Sequence, residues 1–204
     1  GVLSFNSVAI SADGAYLVAG DETYIYLFNL SRANNNMLWS YNPGSAVVLV
    51  AISPDGERIA AATRSGNLLM WERGVSDPLW SYTDAAAISD LAFCLDGDWL
   101  AAATPGGALV FNSNSNNPAL EFPVGTAFSA VAAHPEGKLF AAGTEAGDIY
   151  LLNRVNGSAA WTRSLEGEIA SLTFNGGGSH LLAGTAGKQL TLVTTGNGEP
   201  LWIA

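Results

Sequence analysis

The chain has 204 residues, 49% of them hydrophobic and 13% charged, which is enough apolar material for a packed domain and argues against disorder. Eight Lys and Arg against 18 Asp and Glu give a net charge of −10, which disfavours a nucleic-acid or anionic-membrane surface, because phosphate contacts need cations. Cys94 is the one cysteine, so no internal disulfide can form, and no apolar run reaches the roughly eighteen residues that a membrane helix needs.

The chain opens on Gly1 without a Met or a signal-peptide pattern, so a longer parent chain is expected. Residues 50–82 hold the pattern that the rest repeats: four short apolar runs, at 50–53, 58–63, 68–72 and 79–82, separated by turn residues. The first run recurs as Val8-Ala9-Ile10-Ser11, Val50-Ala51-Ile52-Ser53, Leu91-Ala92-Phe93-Cys94, Val131-Ala132-Ala133-His134 and Leu172-Thr173-Phe174-Asn175, at steps of 42, 41, 40 and 41 residues. Each first strand runs into a tight turn, as in Ser53-Pro54-Asp55-Gly56, where Gly can take the left-handed conformation that closes a hairpin.

The second strands are alanine-rich: Ile59-Ala60-Ala61-Ala62-Thr63 and Leu100-Ala101-Ala102-Ala103-Thr104 are typical. Alanine is a poor strand former, so its recurrence predicts a place where neighbouring sheets approach too closely for larger side chains. Third strands are expected at 24–28, 68–71, 108–111, 148–152 and 189–193, followed by polar loops at 29–36, 73–77, 112–117, 154–158 and 194–199. The asparagine runs at 34–36 and 112–117 read as exposed loop tips. The fourth strands carry Trp39, Trp80, Leu120, Trp161 and Trp202 at matched phase, expected as large buried side chains that fill the gap between sheets. About twenty short antiparallel strands and almost no helix follow.

These units resemble β-propeller blades. Asp-Gly after the first strand is similar to tryptophan–aspartate (WD) repeats, although Phe28-Asn29, Trp71-Glu72, Phe111-Asn112 and Leu152-Asn153 stand where Trp-Asp would be, and the opening Gly-His is missing. Gly147-Asp148-Ile149-Tyr150-Leu151-Leu152-Asn153, with Asn156-Gly157 and Trp161, resembles a pyrroloquinoline-quinone-type (PQQ-type) repeat, as does the stretch from Thr195 to Trp202. The resemblance implies an all-β propeller domain over 1–204, with repeats at approximately 1–42, 43–83, 84–123, 124–164 and 165–204. This register gives whole blades with no strand shared between the ends. The expectation is an open five-blade portion of a larger ring, with a closed five-bladed ring as the alternative. In the closed ring, Leu3 and Phe5 would face Leu201 and Trp202.

Asp13, Asp55, Asp96 and Glu136 lie in equivalent turns, and a ring of such carboxylates is a candidate cation site; turn formation alone is the simpler account. His134 near Glu136 is a conceivable proton-transfer pair, whereas His180 has no acidic neighbour in sequence. Cys94 aligns with Ser11 and Ser53 and reads as a small buried side chain. Asn29-Leu30-Ser31 and Asn156-Gly157-Ser158 match glycosylation acceptors and lean towards an extracellular or cell-surface setting.

No catalytic constellation, cofactor site or metal-ligand spacing emerges from the motifs. The leading expectation is a non-enzymatic interaction or scaffold propeller whose variable loops meet a protein partner, or whose ends meet the remaining blades of a larger propeller. A lectin-like or small-ligand-binding propeller is the alternative. A quinone-dependent oxidoreductase, implied only by the PQQ-type resemblance, is the least favoured, since polar inner positions are scarce.

Overall fold

The computed structural model describes residues 4–31, 36–84 and 86–204. Among these, all regular structure is strand, arranged as five four-stranded antiparallel sheets of consecutive strands. The first blade holds β1 (Ser7–Ile10), β2 (Tyr16–Gly20), β3 (Ile25–Asn29) and β4 (Asn36–Tyr41). The second holds β5 (Val47–Ile52), β6 (Arg58–Thr63), β7 (Asn67–Glu72) and β8 (Trp80–Thr83). The third holds β9 (Asp90–Phe93), β10 (Trp99–Thr104), β11 (Gly107–Asn112) and β12 (Pro118–Phe122). The fourth holds β13 (Phe128–Ala133), β14 (Leu139–Thr144), β15 (Asp148–Asn153) and β16 (Ala159–Ser164). The fifth holds β17 (Ile169–Phe174), β18 (His180–Thr185), β19 (Leu190–Thr194) and β20 (Pro200–Ile203).

One difference from the expected strand bounds recurs in every blade. Ser11, Ser53, Cys94, His134 and Asn175 fall just outside their strands, at the turn. The glycines of these turns, Gly14, Gly56, Gly97, Gly137 and Gly178, all have φ between 65° and 73°, which an L side chain adopts only with strain. Of the expected asparagine tip at 34–36, Asn34 and Asn35 lie outside the described residues, and Asn36 begins β4.

Side chains alternate along each strand, so every blade has two apolar faces. In the second, third and fourth blades one face packs on the blade before and the other on the blade after. Val18, Ile25, Leu27 and Trp39 of the first blade meet Val50, Ile59, Ala61 and Trp71 of the second. Ala60, Ala62, Leu68 and Met70 of the second meet Leu100 and Phe111 of the third. Ala101, Ala103 and Val110 of the third meet Val131, Phe140 and Leu152 of the fourth. Ala141, Ile149 and Leu151 of the fourth meet Leu172, Leu181 and Val193 of the fifth. The second-strand alanines are fully enclosed between sheets, which is the close approach their recurrence predicts.

No core cluster joins the fifth blade to the first among the described residues. Val2 and Leu3 lie outside the described residues. Phe5 is exposed and sets its ring edge-on to Tyr26 at 5.9 Å, while Leu201 and Trp202 are also exposed.

Candidate interaction face

The turns between first and second strands and the loops between third and fourth strands share one face. A backbone bond ties the two together in every blade: Leu30 N–H to Ala15 O, Arg73 to Glu57, Ser113 to Asp98, Arg154 to Lys138 and Thr195 to Ser179, all between 2.7 and 3.0 Å. The polar residues singled out above therefore do lie on one face, and the contacts show what each does there.

Asp13 Oδ1 accepts the Ser11 hydroxyl at 2.6 Å and the Ala15 amide at 2.9 Å. Asp55 repeats this with Ser53 and Glu57, and Asp96 with the Cys94 thiol and the Asp98 amide. The Asp13 carboxyl is held below its ordinary value first by the Ser11 hydroxyl and then by the Ala15 amide. These carboxylates each close their own turn. Glu136 instead sits 3.7 Å from Lys138 on the surface. Among the described residues, no three His, Cys, Asp or Glu side chains are grouped as a metal ion would need.

His134 does not engage the Glu136 carboxylate. Its Nδ1 accepts the Glu136 backbone N–H at 3.1 Å, which leaves Nε2 to donate to Gly178 O, also at 3.1 Å, in the next blade. The ring stands edge-on to Phe174 at 5.2 Å. His134 thus bridges two turns. His180 Nδ1 lies 2.8 Å from the Ser179 hydroxyl. Cys94 is buried, and burial, then Asp96, pushes its thiol from 9.0 up to about 12. The Asn29 and Asn156 side chains each accept the amide two residues on, to Ser31 and Ser158.

The matched tryptophans differ in burial. Trp39 is 9% exposed, Trp80 and Trp161 are half-buried, and Trp202 is 43% exposed because no blade covers it, contrary to the expectation of burial. The three inner indoles share a partner. Trp39 Nε1–H donates to Arg73 O, Trp80 to Ser113 O and Trp161 to Thr195 O, each at 2.8 Å and each the residue that follows the next blade's third strand. Leu120 replaces the indole at the remaining seam.

Two concavities flank this framework. A polar cleft of about 540 Å³ opens on the loop face between the second and third blades, lined by Leu79, Trp80, Ser81, Asn114, Ser115 and Asn116. A second, of about 440 Å³, lies along the inner strands β9, β13 and β17 and includes Asp90. Sequence reasoning missed Asp90. Its Oδ2 accepts Val131 N–H at 2.9 Å in the next blade, and its Oδ1 accepts Leu91 N–H. Burial pushes the Asp90 carboxyl above its ordinary value, against these two amides. Ser7 makes the matching bond two seams earlier, accepting Val50 N–H at 3.0 Å. Asn6 and Ser129 donate to the next blade's Val47 O and Ile169 O. The only signal in the sequence is a polar residue one or two places before the strand-one Val or Leu, and its identity changes from blade to blade.

The family model described as outer membrane protein assembly factor BamB, built of PQQ-type repeats, matches residues 95–204. The chain belongs to this family. None of the curated proteins matches the chain. The repeats of this family share their name with a quinone cofactor, and the inner cleft tests whether this chain suits one. A tricarboxylated quinone needs cationic partners, but the cleft is lined by apolar and small polar residues with Asp90 as its charged group. Asp90 is already bonded to two amides. The residues present do not fit that cofactor.

Proposed function

We propose that this chain is a non-enzymatic interaction propeller that presents its loop face to a protein partner. One observation carries the reading. The turn Asp, Ser, Cys and His residues that chemistry would require are committed to closing turns or bridging blades. The loops beside them differ in every repeat and are exposed around the cleft at Asn114 to Asn116. A constant framework with variable exposed loops is how repeat scaffolds present binding surfaces. The family's description as an assembly factor supports a role in bringing proteins together. We extend this to a setting outside the cytosol.

Photo-crosslinking residues placed at Asn114 and Asn116, with Arg64 on the opposite face as control, test the proposal. Discrete adducts of one protein from the loop positions and none from Arg64 are expected. Equal labelling from both faces, or substrate oxidation by the purified chain that depends on an added quinone cofactor, overturns it. A lectin-like function predicts similar polar loops in every repeat, and loops 73–77 and 112–117 share no such pattern.

A further inference from the structure

Asp90 carries a charge that its seam does not require. It ties the third blade to the fourth by accepting Val131 N–H. At the first seam the equivalent position holds Ser7, which does the same for Val50 N–H with a neutral hydroxyl. At the second and fourth seams it holds Leu49 and Ala130, whose side chains accept no hydrogen bond. A carboxylate is costly to withdraw from water without a cationic partner. Among the described residues, no Lys or Arg lines the cleft around Asp90, and no ion pair includes it. Each of its oxygens accepts one amide, so each keeps a lone pair for another donor.

The inner cleft of about 440 Å³ gives such a donor an approach, and three consecutive blades of this chain supply all of its walls. The two seams that it spans, third to fourth and fourth to fifth, are both closed within the molecule. Asp90 opens β9 and Phe93 closes it, which sets the carboxylate about 10 Å from the loop-face end at a strand's rise of about 3.3 Å per residue. Along that length the floor is formed by Ala132 and Ala133, whose methyl groups keep the groove deep. At the loop-face end stand Leu95, Pro135 and Phe174, and Leu95 is 54% exposed. No three metal-ligating side chains come together among the described residues. A single carboxylate at one end of an apolar groove matches a single positive charge at one end of an apolar chain.

We propose that the inner cleft binds a small primary ammonium ion with an unbranched apolar chain, its nitrogen on the Asp90 carboxylate and its chain laid along Ala132 and Ala133 towards Leu95 and Phe174. The net charge of −10 favours the approach of such a cation. The raised value of the Asp90 carboxyl fits a site that its ligand completes, because a cation at hydrogen-bond distance lowers it. The site lies on the inner strands and is separate from the loop cleft at Asn114 to Asn116.

Isothermal titration of the full chain with hexylamine, hexan-1-ol and hexanoate, which share a chain and differ in charge, tests the proposal. Hexylamine is expected to bind 1:1 and saturably, hexan-1-ol at least tenfold more weakly, and hexanoate not at all. From butylamine to octylamine the affinity is expected to rise about twofold per methylene, short of the fourfold that full burial would give in this open groove. Asp90→Asn is expected to weaken hexylamine at least tenfold and to leave hexan-1-ol unchanged. If that variant fails to fold, the carbon-13 carboxyl signal of Asp90 in the unaltered chain decides: hexylamine is expected to move its titration midpoint to lower pH. Hexan-1-ol or hexanoate binding as tightly as hexylamine overturns the proposal. So does an Asp90→Asn chain of unchanged hexylamine affinity, an unmoved Asp90 midpoint, or no saturable binding of any amine in the series.

Discussion

The indole Nε1–H of Trp39 donates to the carbonyl oxygen of Arg73 at 2.8 Å, and the ring stacks on Trp71 at 5.8 Å between centroids. One side chain therefore supplies both the apolar filling and the polar fastening of a seam. The Arg73 amide is held by Glu57 O, so the acceptor is fixed in place before the indole arrives.

Trp80 does the same for the next seam, with Phe111 at 5.6 Å and Ser113 O as acceptor. Trp80→Ala is expected to destabilise by about 3 kcal/mol, from lost burial and an unpaired carbonyl. Trp80→Phe keeps the ring and loses the bond, for about 1 kcal/mol. Trp202→Ala in dilute solution should change stability by less than about 0.5 kcal/mol, since nothing covers that ring. Urea unfolding midpoints compare the three. Equal losses at positions 80 and 202 would contradict the open outer face.

Cys94 should resist alkylation. Its thiol is raised to about 12, so almost no thiolate exists in the folded chain at about pH 8. Iodoacetamide labelling is expected to be slow in buffer and fast in denaturant. The raised value also sets a sign: the contribution to stability is complete below the unfolded thiol value and is lost as pH rises towards the folded one. Cys94→Ser places the hydroxyl found at Ser11 and Ser53 in the same turn, and should flatten this alkaline loss. An unchanged alkaline profile in that variant counts against the assignment.

Asp90 gives the opposite end of the pH scale. Its carboxyl is raised by burial, so the folded chain holds the proton more tightly than the unfolded one. Its contribution is greatest below the unfolded carboxylate value and falls as pH rises through the folded one. The stability of the unaltered chain relative to Asp90→Asn should therefore fall as pH rises above the ordinary carboxylate range. A difference that grows with pH would show that the amides of Val131 and Leu91 outweigh burial.

Gly143 marks how closely the fourth and fifth blades approach. A Cβ there would overlap Ile169. Gly143→Ala is expected to cost about 1–3 kcal/mol as overpacking. In the double variant with Ile169→Ala the losses should be less than additive, because the second change vacates the space the first requires. Strict additivity in thermal unfolding would separate the two residues.

The blade plan is legible in the sequence because it rests on spacing. Alternating apolar runs, Gly in the turn after the first strand and small residues on the second each encode a local requirement, and each recurs about every 41 residues at positions such as Gly56 and Ala61. The exposure of Trp202 is not legible, since burial belongs to the neighbour and not to the residue. The His134 contacts were also out of reach: sequence offers the Glu136 carboxylate, and the fold supplies its amide and a carbonyl 44 residues on. The seam bonds of Asn6, Asp90 and Ser129 use three different side chains for related tasks, so no repeated letter announces them.

The seam bonds have a consequence for synthesis. The indole bonds span 33 or 34 residues of chain, and those of Ser129, Asp90, Ser7 and His134 span 40 to 44. None of the four inner seams waits for a distant part of the polypeptide. Each blade can dock on its predecessor soon after leaving the ribosome, in the order of translation, with loop-closure entropy set by a single repeat. Arrest-peptide force measurements on nascent chains of increasing length should then show pulling peaks spaced by one repeat; a single late peak would mean that the blades wait for one another.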